Sequence, residues 1–295
     1  MTFLMFQLKT KNLTKRPGTI HLAFWLLSLC ASLLVLFDQQ VKGAEIDVHS
    51  QILNAIEKVD AKNLRNTIAH LQAYDNRKTW EKQWKTAQWL DEQFKTMGLE
   101  VNLHTYEWKG KKWPNVVAKI EGNTNPDQII MPIAHLDSIS DSKLMIAPGA
   151  DDNGSGVAVI LEIARILKEV PISKSVVFSI FSNEERGASG SKAFVQKAID
   201  DHLDIRAVIN LDVLGYNRPK RLFYFKAVNA QRTLKHKLKA IYRMCSNYFL
   251  GYINGENVLT VAGRPLNANL VKTTSNTIRQ YSDLKLKETV KEDCG

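Results

Sequence analysis

The spacing of apolar side chains changes character along the chain. A predominantly apolar run over residues 20–37 comes first; helical spacing follows as far as residue 97, and short apolar runs alternate with helical stretches after that. Residues 46–71 predict one helix. Residues 78–97 predict another, because Trp80, Trp84, Ala87, Leu90 and Phe94 recur at three- and four-residue intervals and Gly98 supplies a stop. The pattern then predicts strands over 101–106, 115–120 and 128–134, a helix over 155–168, a strand over 175–181, a helix over 189–199 and a strand over 207–211. Strands alternating with helices imply an α/β fold with a mostly parallel sheet covered on both faces.

Three of the apolar runs end in groups that can hold a metal. Residues 129–134 run into His135, residues 176–182 into Asn183-Glu184-Glu185, and residues 208–211 into Asp212. In open α/β sheets ligands bind outside the carboxyl edge, so these ends converge in space although they are far apart in sequence. A fourth segment, Pro148-Gly149-Ala150-Asp151-Asp152-Asn153-Gly154-Ser155-Gly156, leads into the third helix. Its glycines invite comparison with a phosphate loop, but it matches neither GxGxxG nor GxxxxGK[ST], and two carboxylates there would repel an anion. Adjacent aspartates at a helix entrance suit a cation or serve as a plain N-cap. Taken singly, a histidine at a strand end is an ordinary surface residue and Glu184-Glu185 an ordinary solvated turn; their convergence makes the case for a metal.

Composition changes little in this picture. At 44% hydrophobic and 24% charged residues the chain is globular, which excludes disordered, collagen-like and polytopic membrane classes. The net charge of +10 changes more, because it is unevenly placed. Residues 1–43 carry 5 basic and 1 acidic residue, residues 44–217 carry 20 and 24, and residues 218–295 carry 15 and 5. Lys9, Lys11, Lys15 and Arg16 precede the apolar run, so residues 1–44 read as a signal peptide or an uncleaved membrane anchor. The protein is therefore expected to be exported: secreted, periplasmic, or anchored with its catalytic part outside the cytoplasm. Contact with a membrane would come only through that segment. Of the three cysteines, Cys30 lies in the apolar run; Cys245 and Cys294 either pair in an oxidising compartment or remain thiols. The basic tail, with Arg218, Lys220, Arg221, Arg232, Lys235, Lys237, Lys239 and Arg243, lacks a nucleic-acid reader motif, and no nucleic-acid partner is expected.

Four segments together resemble the co-catalytic di-zinc aminopeptidases and glutamate carboxypeptidases of metallopeptidase clan MH. They are Ala134-His135-Leu136-Asp137-Ser138, residues 148–156, Asn183-Glu184-Glu185-Arg186-Gly187, and Asn210-Leu211-Asp212 with Gly215-Tyr216. The resemblance spans residues 46–216 and implies an α/β/α sandwich around a mixed sheet, the phosphorylase/hydrolase-like architecture of zinc exopeptidases. It implies two Zn²⁺ ions, with Asp151 bridging them, His135 and Asp212 completing one and Glu185 contributing to the other. A metal-bridging water would be the nucleophile and Glu184 the general base. Asp137 would fix the imidazole tautomer of His135, and Asp152 would follow Asp151 across a cis peptide. The implied substrate is a peptide or protein N-terminus, and the implied activity is that of an exopeptidase, foremost an aminopeptidase.

One element of the family pattern is absent. The second metal takes a downstream histidine, and here only His236 follows His202, on what reads as the polar face of a basic helix. His49, His70, His104, His202 and His236 match none of the motifs. Residues 45–295 are accordingly expected to form a single zinc-peptidase-like domain whose C-terminus is incomplete, with weak binding of the second metal and low or absent activity. The alternatives are a glutaminyl-peptide cyclotransferase-like enzyme, a metal-poor binding ectodomain and, more distantly, a basic anion-binding protein.

Overall fold

The computed structural model of the chain describes residues 48–139, 146–214, 222–229, 251–252, 258–263, 268–282 and 285–290. Helices α1 (Val48–Glu57), α2 (Ala61–Gln72) and α3 (Trp80–Thr96) come first. The single helix expected over residues 46–71 is thus two. Asp60 is extended at φ −112°, and its carboxylate accepts the amide of Lys62 at 2.7 Å, so a new helix is capped there instead of the old one continuing. Thr79 caps α3 in the same way, and α3 ends at Thr96 with Met97 as its C-cap, just before Gly98 at φ +82°.

Strands β1 (Glu100–Trp108), β2 (Lys111–Ile120) and β3 (Asn125–His135) follow. After them come α4 (Gly154–Leu167), β4 (Lys174–Phe181), α5 (Ser189–Asp200) and β5 (Asp204–Asp212). The described residues end with β6 (Leu222–Asn229), β7 (Gly251–Tyr252), β8 (Val258–Gly263), α6 (Ala268–Tyr281) and β9 (Lys285–Val290). The strands join in the order β1-β2-β4-β3-β5-β6-β8-β9, with β7 beside β6. The sheet is mixed, as expected: β4, β3 and β5 are parallel neighbours in its middle, while β1, β2 and β6 run against their partners there.

Every residue of β4 is buried, as a strand covered on both faces requires. Alternation along β3 divides the core: Ile130 and Ala134 face one cluster with residues of α1 to α4 and α6, while Ile129, Met131 and Ile133 face another with Phe194 and Val195 of α5. Helices therefore cover both faces, giving the expected α/β/α layering. Helix α4 is buried along its length except at Arg165, and Phe94 of α3 lies over Phe178 of β4 with ring centroids 6.1 Å apart. No described helix is long and apolar enough to cross a membrane. The apolar run over residues 20–37, His236, Cys245 and Cys294 lie outside the described residues.

Candidate metal centre

Parallel pairing of β3 with β4 and β5 brings three strand ends to one edge. His135 is opposite Phe181, and the amide of Leu136 donates to the Phe181 carbonyl at 2.8 Å, so the Asn183-Glu184-Glu185 turn emerges beside His135. Asp212 ends β5 on the other side. The acidic loop reaches the same edge because its Asn153 caps α4 and ties it to β5: Oδ1 accepts the Gly156 amide at 3.0 Å, and Nδ2 donates to the Leu211 carbonyl at 2.8 Å. Gly156 has to be glycine. A Cβ there would collide with Asn153 and with the Leu211 carbonyl.

The ring of His135 is buried, with Nδ1 at 3.1 Å from the carbonyl of Asp137. A carbonyl only accepts, so Nδ1 carries the hydrogen and Nε2 is turned toward the carboxylates. Asp152 Oδ1 lies 3.1 Å and Asp212 Oδ1 3.4 Å from Nε2. Asp212 Oδ1 is buried and has no hydrogen-bond partner among the described residues. Imidazole and carboxylate oxygens arranged like this need a proton or a cation between them. Ligand atoms of His135, Asp152 and Glu185 lie within 4.8 Å of one another, and imidazole with carboxylate is a donor set that suits zinc.

The electrostatics agree. Burial alone would lower the His135 pKa, but Asp212 first, with Asp137 and Asp152, more than reverses this and raises it well above its ordinary value. Burial pushes Glu184 up to about 7 against the pull of His135, and the charges of Asp212, Asp137 and Asp152 add to the rise. Glu185 is pushed up to about 8 by burial and then by Asp152. Asp152 itself is held below the ordinary aspartate value, because its contact with His135 outweighs the burial that opposes it. Such crowding of carboxylates is what a bound cation would relieve.

The geometry corrects two assignments read from sequence. The cis peptide lies between Asp152 and Asn153, one residue later than expected, and Asp152 is the aspartate facing His135. Asp151 is not in the converging group; its carbonyl and Oδ1 accept from the Ser155 hydroxyl at 2.6 and 3.2 Å. Adjacent aspartates carry no sequence signal that chooses between them, because the choice is made by how the loop closes. Asp137 meets His135 with both its backbone and its side chain: its carbonyl is 3.1 Å and its carboxylate 3.6 Å from Nδ1. That carboxylate also accepts the amides of Glu184 at 2.9 Å and Glu185 at 3.2 Å, so it holds the glutamate turn as well. His135 and Glu185 belong to the group within 4.8 Å, Asp212 Oδ1 faces His135 Nε2 at 3.4 Å, and Glu184 sits half-buried next to Glu185. Sequence reading missed Arg77, buried behind the site without any local motif to mark it.

Residues 115–260, from β2 into β8, match Peptidase family M28. A "Probable zinc metalloprotease" of Pyrenophora teres f. teres (strain 0-1) is 28% identical over 188 residues, covering 55% of this chain and 40% of the relative. "Aminopeptidase YwaD" of Bacillus subtilis (strain 168) is 35% identical over 122 residues, covering 41% of this chain and 26% of the relative. Among solved structures, the Legionella pneumophila LapA aminopeptidase superposes with a TM-score of 0.51 at 27% identity, covering 61% of this chain and 50% of LapA. The chain therefore spans less than half the length of these curated relatives.

Proposed function

We propose, from the match of residues 115–260 to Peptidase family M28, that this chain forms the metal-binding body of an exopeptidase acting on peptide N-termini, an aminopeptidase. The observation that carries the reading is the facing of His135 Nε2 by Asp152 Oδ1 at 3.1 Å and by the buried Asp212 Oδ1 at 3.4 Å. His135, Asp152 and Asp212 would hold one zinc, and Asp152 with Glu185 a second. A zinc ion held there would supply Lewis acidity toward a carbonyl oxygen and an attacking water.

The remaining steps belong to the protein. Glu184 stands half-buried beside Glu185, in place to act as the general base: its carboxylate takes the proton of the attacking water and delivers it to the leaving amine nitrogen. Asp137 aims that carboxylate by holding the amides of Glu184 and Glu185. Asn183, with φ +52°, turns the chain there; its Nδ2 donates to the Tyr106 hydroxyl at 2.9 Å, and its Oδ1 accepts from Gln83 of α3 at 3.2 Å. We further propose an exported protein, on the strength of the basic residues and apolar run that precede the domain.

The test pairs zinc analysis with hydrolysis of aminoacyl anilides. The chain should retain zinc after dialysis, Glu184→Gln should retain it too, and whatever hydrolysis the chain shows should fall in kcat by about 10² to 10⁴ in the variant. Hydrolysis indifferent to Glu184, or a chain that takes up no zinc, would sink the proposal.

A further inference from the structure

We propose that Arg77 is a positioning residue for the metal centre: its buried guanidinium ties the end of β3 to the loop carrying Asp152 and so sets the spacing between His135 and Asp152. Arg77 lies in the turn between α2 and α3, remote in sequence from all four motif segments, and its side chain is 0% exposed. Its Nε donates to the carbonyl of Leu136 at 2.7 Å, one residue past His135. Nη1 donates to Pro148 at 2.7 Å and to Leu71 at 3.1 Å, and Nη2 to Gly149 at 3.0 Å. One planar fork thus binds the backbone next to His135 and the start of the loop that carries Asp152 three residues after Gly149.

The loop is closed on the same point. The Gly149 carbonyl that accepts from Arg77 also accepts the amide of Gly154 at 2.9 Å, which encircles Asp151 and Asp152. The Arg77 amide donates to Ser138 Oγ at 3.0 Å, and that hydroxyl donates on to the Ala147 carbonyl at 2.6 Å, a second tie between the same segments. The junction has no slack: Gly149 sits at φ +53°, and a Cβ there would lie 2.7 Å from Arg77 Nη2 and 2.5 Å from the Asp152 carbonyl.

None of the four guanidinium bonds goes to a carboxylate, although a buried arginine is ordinarily paired with one. Burial pulls the Arg77 pKa down to about 10, and Asp137 and Asp152, followed by Tyr74, work against that fall through space. Arg77 is therefore placed to oppose the mutual repulsion of the carboxylates from behind while leaving their oxygens directed at the metal. Without it, the loop carrying Asp152 would be expected to relax away from His135.

The inference rests on the zinc reading above, and the experiment separates the two. Zinc affinity is measured by chelator competition on folded protein well below its thermal midpoint, for the chain itself, Arg77→Gln and Arg77→Lys, with the visible spectrum of the cobalt-loaded forms alongside. Arg77→Gln should weaken zinc by about 10- to 100-fold and alter the cobalt spectrum, as loss of a contact behind a ligand does. Arg77→Lys, which keeps the charge but not the planar fork, should recover part of the loss. Equal zinc affinity and unchanged cobalt spectra in all three, with only the melting temperature lowered, would make Arg77 a staple of the fold and overturn the proposal. If the glutamine variant does not fold, the lysine variant decides alone, and unchanged zinc affinity in it is again fatal. A parent chain that binds no zinc overturns the zinc reading and this inference together.

Discussion

Asp151 and Asp152 are neighbours in sequence with different surroundings. The oxygens of Asp151 meet the Ser155 hydroxyl, inside the first turn of α4, whereas Asp152 Oδ1 meets His135 Nε2. Replacing Asp152 by Asn should therefore weaken zinc by more than the roughly 100-fold that loss of an outer contact costs. Asp151→Asn, which can still accept from Ser155, should leave zinc affinity close to that of the parent. Chelator competition on the two variants checks both outcomes; the reverse ranking would return the bridging position to Asp151. His135 and Asp212 were legible from sequence because each ends an apolar run. The choice between two adjacent aspartates was not, since it depends on which carboxylate a closed loop turns toward the strand end.

The elements that matter most to the site are α4 and the three parallel strands. Asn153 serves both, capping α4 and satisfying the buried carbonyl of Leu211 at the end of β5. Asn153→Ala should remove a cap worth about 0.5 to 2 kcal/mol and leave a buried carbonyl unmade at about 1 to 3 kcal/mol. Urea unfolding at fixed zinc would read the sum, and a loss below about 1 kcal/mol would contradict this role. Phe178→Ala offers a contrast, for it should cost about 3 to 5 kcal/mol by opening a cavity against Phe94 without touching a metal-holding group. Strand positions were readable in sequence because fully buried strands are continuous apolar runs. The break between α1 and α2 was not, because helical apolar spacing continues across Asp60 and only its cap geometry shows the interruption.

Over the whole chain, stability and metal binding are linked through protons. With metal removed, Glu184, Glu185 and His135 all bind a proton more tightly folded than unfolded, where Glu titrates near 4.3 and His near 6.5. The folded state then carries more protons than the unfolded one from about pH 4.5 to 8. Their stabilisation is present at the acid end of that window and is lost as pH rises. Asp152, shifted the other way, matters only below the ordinary aspartate value. Zinc must displace these protons, so its stabilisation grows with pH. Thermal midpoints at pH 5.5, 7.0 and 8.5 should fall in chelator, while the gap between zinc-loaded and chelated protein widens. A chelated midpoint that climbs with pH would contradict the crowding of these carboxylates.

Periodicity and local chemistry in the chain determined the alternation of strands and helices, the residues able to bind a cation, and a middle region whose net charge is negative although the whole is +10. Those are properties of short windows, so short windows reveal them. Folding settled which aspartate faces His135, that the Asp137 side chain holds the glutamate turn, and that Arg77 bonds to the carbonyl of Leu136 at the end of β3. Each of these depends on where a backbone carbonyl or amide from a distant segment comes to lie, and that position exists only once β3, β4 and β5 pair side by side.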